Sequence, residues 1–185
     1  MYKRIAFPLS LMMIALLIVC FDSLWEINLF IRQCVMENIH GHWVIDNYMQ
    51  YVPLVVFLIL PGEHKWWHRI LLALVCILLM QGISESLKSL THILRPDGST
   101  YNSFPSGHTG TAFVCASLLA FECKKRRGLK TAGYIVAMAT GMMRMINNRH
   151  WLSDVLFGAG LGILTVIVIC WIYEKYVMKL SNNGK

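Results

Sequence analysis

The stretch Asp154–Tyr173, "DVLFGAGLGILTVIVICWIY", decides the fold. After Asp154 it carries no charge, and its length matches the roughly 20 apolar residues that a helix needs to cross a bilayer. Further apolar runs lie outward from it at 5–21, 48–61, 69–90, 108–122 and 131–147. The run 48–61 is short for a span unless its start lies in the membrane interface. The pattern predicts an all-α fold, a bundle of six transmembrane helices forming one domain over 1–185. Composition agrees: 56% of the 185 residues are hydrophobic and 15% are charged, against about 25% charged in a typical soluble domain. Little chain is left for a soluble domain, and no internal repeat or low-complexity segment appears. "MYKR" precedes the first run, but no small-x-small cleavage site follows at "FDSLWE", so this run reads as an uncleaved helix.

The formal charge is +7. The basic residues gather at the ends of the apolar runs, which is the signature of membrane topology and not of nucleic-acid binding. The densest basic run, "ECKKRRGLK" at 122–130, is assigned to the cytoplasm. "MYKR", "GEHKWWHR" and the tail "YEKYVMKLSNNGK" then fall on the same side. The opposite side receives 22–47, with one Arg and four acids, and the loops 91–107 and 147–153. "KKRR" is therefore read as a topology determinant in preference to an anionic-lipid or nucleic-acid site. Within 22–47, "SLWEINLFIRQCVMENI" reads as an amphipathic helix that lies along the interface or covers a site.

Six cysteines (Cys20, Cys34, Cys76, Cys115, Cys123, Cys170) include no CxxC, and five lie in or beside apolar runs. They read as packing residues, not zinc ligands. His40 and His42 in "HGHW" have no third ligand in view and read as structural. No metal or cofactor is expected. Membrane lipids are expected around the chain, with no nucleic acid and no obligatory protein partner.

Three polar constellations interrupt this apolar chain. Lys88 and Arg95 in "KSLTHILRP" are seven residues apart, two turns and one face if helical. Cations near membrane depth are expensive, so the pair points to an anion held between spans; the alternative is snorkelling to the interface. In "SFPSGHT", Ser106 is a natural N-cap and Gly107 permits close approach of a ligand to the backbone. His108 falls in the first turn of a helix whose free N–H groups attract anions. In "MRMINNRHWLSD", Arg144 precedes His150 and Asp154, which are four apart and share a face if helical. A carboxylate beside an imidazole orients the ring and fixes its tautomer, leaving the other nitrogen as a nucleophile. All three constellations fall on one face of the membrane. Three cations and helix N–H groups match phosphate oxygens, and two histidines supply a nucleophile and an acid.

These residues resemble the type 2 phosphatidic acid phosphatase (PAP2) superfamily, whose pattern is K-x6-RP, PSGH and SR-x5-H-x3-D. The matches are Lys88 with Arg95-Pro96, Pro105-Ser106-Gly107-His108, and Arg144, His150 and Asp154, with every internal spacing kept. One position departs: Met143 stands where the family has a serine that helps hold phosphate. Asn147 or Asn148 is a candidate substitute. The loop between Arg95 and Pro105 is short, with no evident lid. The resemblance implies that His150 attacks phosphorus to form a phosphohistidine and that Asp154 orients it. His108 would protonate the leaving alcohol oxygen and then help activate water. Lys88, Arg95, Ser106, Gly107 and Arg144 would bind the phosphoryl oxygens in place of metal ions. The opposed histidines predict a bell-shaped pH–rate profile. His92, one turn after Lys88, and Arg149, beside His150, are lesser candidates. The "GAGLG" at 158–162 reads as close helix packing.

The resemblance further implies a bacterial inner-membrane enzyme with its site facing the periplasm. "RPDGSTYNSFPSGHT" and "NNRHWLSDVLFGAG" resemble small family members from Bacteroides-like bacteria, some of which dephosphorylate lipid A. Lipid A phosphate is the leading substrate and undecaprenyl diphosphate the alternative. Two other readings stay open: phosphotransfer to a second lipid, and a non-enzymatic lipid-phosphate binding or transport protein, for which Met143 is the only support.

Overall fold

A computed structural model of the chain describes residues 2–39, 44–62 and 64–178; His40 and His42 lie outside them. The described residues form α1 (Tyr2–Cys20), α2 (Asp22–Asn38), α3 (Asp46–Met49), α4 (Val52–Ile59), α5 (Trp66–Thr91), α6 (Gly107–Glu122), α7 (Arg127–Ile146) and α8 (Leu152–Ile172). A π-helical segment, Tyr173–Met178, follows. The fold is all-α, as expected, but the helices do not number six. The segment 22–47 contributes α2, and the run 48–61 is not one helix. Pro53 lacks a backbone N–H and is tolerated only in a first helical turn; here it sits in the first turn of α4, and the chain breaks between α3 and α4. By length and apolar composition, two described helices can each cross a membrane: α5, and α8 continued to Tyr176. Arg4–Cys20 and Asp22–Asn38 pass together as a pair bent by 102°.

The core is built around α6, which packs against α4, α5, α7 and α8, while α8 also packs on α1. A helix apolar on every face has to be enclosed, and most of α6 from Gly107 to Leu119 is buried. Small residues let backbones approach where lipid offers no hydrophobic drive. A Cβ at Gly158 would stand 2.6 Å from the Ser106 carbonyl oxygen, and one at Gly162 2.5 Å from that of Gly110. On the other side of α8, a Cβ at Gly160 would meet the Pro8 carbonyl at 2.6 Å. "GAGLG" is thus a packing motif that fixes the start of α8 against the start of α6. Four of the six cysteines are buried and all six are free thiols. Large apolar side chains such as Met13, Leu71, Leu74 and Leu78 point outward, as a lipid-facing surface requires.

Where α6 ends, Glu122 is buried. It accepts from the His64 backbone N–H at 2.9 Å and lies 2.8 Å from His64 Nδ1, with Arg69 Nε at 3.7 Å. This ion cluster pins the 60–69 connection to the end of the bundle away from the motif residues.

Candidate active site

The motif residues gather where α5 ends, α6 and α8 begin and α7 ends. Two were expected on helical faces and are not there. Helix α5 stops at Thr91, and His92 caps it in the left-handed region with φ 47°. Arg95 therefore lies in the following loop, so the expectation that it shares a helix face with Lys88 is corrected. His92 itself is an exposed cap. Likewise α8 starts at Leu152, so His150 precedes the helix.

His150 and Asp154 nevertheless meet, through the turn that opens α8. Asp154 Oδ2 lies 3.3 Å from His150 Nδ1 and accepts from the Trp151 N–H at 2.8 Å. It also accepts from Ser103 Oγ at 2.5 Å. Asp154 is 0% exposed and His150 3%. With Nδ1 turned to the carboxylate, Nε2 is the nitrogen left for chemistry. Burial, the largest influence, pushes the His150 imidazole below its ordinary value of 6.5. The bond and charge of Asp154 oppose this, while the Arg144 and Arg95 cations reinforce it. The net effect favours a neutral ring, as a nucleophile requires.

The loop 92–106 is tied into the same corner. The Ser103 N–H donates to the Ile93 carbonyl at 3.0 Å. Thr91 Oγ1 donates to the Phe104 carbonyl at 3.2 Å and Trp151 Nε1 to the Leu94 carbonyl at 2.8 Å. Ser106 is the N-cap of α6, accepting from the Thr109 N–H at 3.5 Å and lying 2.9 Å from Thr109 Oγ1. Its own N–H donates to the Asp154 carbonyl at 3.1 Å. Beside it, a Cβ on Gly107 would stand 3.6 Å from Lys88 Nζ, so the glycine keeps that ammonium close to the helix start. Lys88 Nζ also bonds Glu85 at 2.7 Å.

A cavity of about 350 Å3 opens here, lined by Arg95, His108, Arg144, Asn147 and Arg149 together with Val44, Asp46 and Asn47. His150, Lys88, Ser106 and Gly107 are not among its lining residues. The Nε groups of Arg95 and Arg144 are buried and have no acceptor among the described residues. Buried donors need acceptors, and an anion entering this cavity would supply them. Arg149 donates to Asp97 at 2.9 Å. Although partial burial pushes the Asp97 carboxyl up, bonds from Ser99 and the Arg149 cation hold it below its usual range. Asn147 lines the cavity, whereas Asn148 is turned to Arg32, accepting from its Nε at 2.8 Å.

Two site residues escaped the sequence reading. Asp46 is buried and accepts from Arg144 Nη1 at 2.6 Å. Asn47 Oδ1 lies 2.9 Å from His108 Nε2. The short helix α3 thus holds both an arginine and the histidine of the cavity. The one available signal was a single carboxylate set among apolar residues in "VIDNY". Helix α2 covers the opposite side: Asn28 bonds the Ser153 hydroxyl and N–H at 3.0 and 3.1 Å, and Trp25 meets Trp151 with ring centroids 5.2 Å apart. The amphipathic segment therefore covers the 148–153 turn. Among the described residues, no three His, Cys, Asp or Glu side chains converge as a metal site.

A helical membrane bundle with a histidine–carboxylate pair beside an arginine-lined cavity is the class of protein defined here. The chain belongs to the PAP2 superfamily, which it matches over residues 69–178. A curated Lipid A 1-phosphatase from Porphyromonas gingivalis is 44% identical over 140 residues, covering 72% of this chain; the chain spans about a third (32%) of that protein's length. The fold matches a transmembrane PAP2-type phosphatidylglycerolphosphate phosphatase from Bacillus subtilis with TM-score 0.74 at 21% identity, covering 95% of this chain and 98% of the other. It also matches LpxE from Aquifex aeolicus with TM-score 0.64 at 23% identity, covering 78% and 95%.

Proposed function

We propose that the protein is a metal-independent lipid phosphatase that works through a phosphohistidine, with a lipid A phosphate as substrate. The convergence of Arg95, Arg144 and His108 on one cavity next to the His150–Asp154 pair carries the reading. The substrate assignment is supported by the similarity to the Porphyromonas gingivalis Lipid A 1-phosphatase.

In the proposed reaction, His150 Nε2 attacks phosphorus while Asp154 holds Nδ1–H. The bond from phosphorus to the lipid oxygen breaks, and His108 gives that oxygen its proton. Water then attacks the phosphohistidine with His108 taking up a proton, and inorganic phosphate leaves with its bond to His150 broken. Arg95, Arg144, Lys88 and the start of α6 at Ser106 and Gly107 carry the transferred phosphoryl charge. Six crossings are proposed: α1, the α3–α4 pair, α5, α6, α7 and α8. The basic loops lie at the bundle end away from the site, which supports placing the site on the periplasmic side of a bacterial inner membrane.

The test is phosphate release by the purified protein in detergent with EDTA. The panel is lipid A, undecaprenyl diphosphate, phosphatidylglycerol phosphate and phosphatidic acid, with His150→Ala as control. Release by wild type alone, fastest from lipid A, is the expected result. Activity that EDTA abolishes would overturn metal independence. Phosphate appearing on a second lipid instead of in solution would make the protein a transferase. No release at all from folded protein would leave the binding or transport reading.

A further inference from the structure

Three contiguous hollows run along the outside of the bundle, from beside the active site to the opposite end. The first, about 610 Å3, is apolar and lies between α1, α6, α7 and α8, with Met142 and Val155 at its site-proximal end and Phe7, Tyr134 and Ile163 at the other. Those last three residues also line the second hollow, of about 600 Å3. Arg4, Ala120, Phe121 and Tyr134 continue from it into the third, of about 720 Å3. From Met142 to Arg127 is about 22 Å along α7, longer than the about 15 Å of one bilayer leaflet.

The walls change character along this groove. The mouth at the far end is lined by Arg4, Lys124, Arg127 and Lys130, cations brought together from α1, from the turn after α6 and from α7. Lys124 lies 3.3 Å from Glu174 and over the Phe121 ring, and Lys130 Nζ donates to the Lys124 carbonyl at 3.0 Å. The Arg4 and Arg127 side chains have no ion-pair partner among the described residues. Among the described residues, the side chains that line this mouth include four cations and no carboxylate. Between mouth and apolar floor, the Ser117 and Tyr134 hydroxyls stand 3.1 Å apart.

We propose that this groove is a binding site for an anionic glycerophospholipid, separate from the catalytic cavity and at the other end of the bundle. Its phosphate is held by Arg4, Arg127 and Lys130, and one acyl chain lies along Phe7, Tyr134 and Ile163. Basic pockets between helices at a membrane face bind such headgroups. Topology alone requires charges on a loop; it does not require that charges from three elements meet at the end of an apolar groove. Lys125 and Arg126, from the same loop, do not line the mouth.

That difference supplies the control. Thermal unfolding of the full chain would be followed in phosphatidylcholine nanodiscs with and without phosphatidylglycerol, in a His150→Ala background. Two charge-matched pairs would be compared, Arg127→Gln/Lys130→Gln and Lys125→Gln/Arg126→Gln. Phosphatidylglycerol should raise the melting temperature of the parent and of the second pair, and the first pair should lose at least half of that rise. No rise in the parent, a rise kept by the first pair, or an equal loss in both pairs would overturn the site.

Discussion

At His150 one carboxylate fixes the ring and burial keeps it neutral. In the proposed reaction the neutral form is the nucleophile, and burial lowers the pKa of the ring from its ordinary 6.5. Activity limited by His150 is therefore retained as pH falls to 6.5 and declines only below it. Asp154 favours the charged ring, so Asp154→Asn should move this acid limb of kcat/KM to still lower pH as well as slow the reaction. An acid limb that rises instead would remove His150 from the role. Replacing His108 with Ala should lower kcat by about 10²–10⁴-fold, the usual contribution of a positioned acid. The loss should be far smaller with p-nitrophenyl phosphate, whose leaving group needs no proton; an equal loss on both substrates would mean that His108 acts by another route. Asp46 makes a separate prediction. Removing one partner of a buried ion pair costs about 3–5 kcal/mol, so Asp46→Ala should lower the melting temperature and reduce kcat/KM. In a cycle with Arg144→Ala the two losses should overlap and not add, because both remove the bond between Arg144 and Asp46.

At the scale of elements, the site depends on how tightly α8 lies against α6. A methyl group at Gly158 would press on the Ser106 carbonyl, and overpacking of this kind costs about 1–3 kcal/mol. Gly158→Ala should therefore lower both thermal stability and phosphate release, since Ser106 opens α6 and bonds the Asp154 backbone. Gly82, in the middle of α5, has nothing within 4 Å of the place a methyl group would occupy. There, exchange for Ala should be neutral or stabilising by about 0.5–1 kcal/mol. Equal effects at the two glycines would mean that α6–α8 contact does not shape the site. The same scale shows why helical periodicity misplaced two motif residues. A left-handed cap at His92 ended α5 before Arg95, and the α8 N-terminus fell after His150.

At the scale of the whole molecule, the basic ends and the site lie at opposite poles of the bundle. In a variant lacking the six native cysteines, Gly98→Cys should react with a membrane-impermeant maleimide on spheroplasts. Lys125→Cys should react only after permeabilisation; the reverse pattern would place the site in the cytoplasm. The apolar runs, the spacing of the three motifs and the segregation of charge were legible in the sequence, because each depends on residues close together along the chain. Local hydropathy sets which segments leave water, and local spacing sets which groups recur near one another. The tertiary structure decided what local pattern does not contain. It brought Asp46 to Arg144 across 98 residues, Asn47 to His108 across 61 and Ser103 to Asp154 across 51. It also broke the run 48–61 into two helices and laid α2 over the turn at 148–153. Such pairings arise only when helices pack: buried charges and hydroxyls must find partners wherever the fold puts them, and sequence distance does not limit that search.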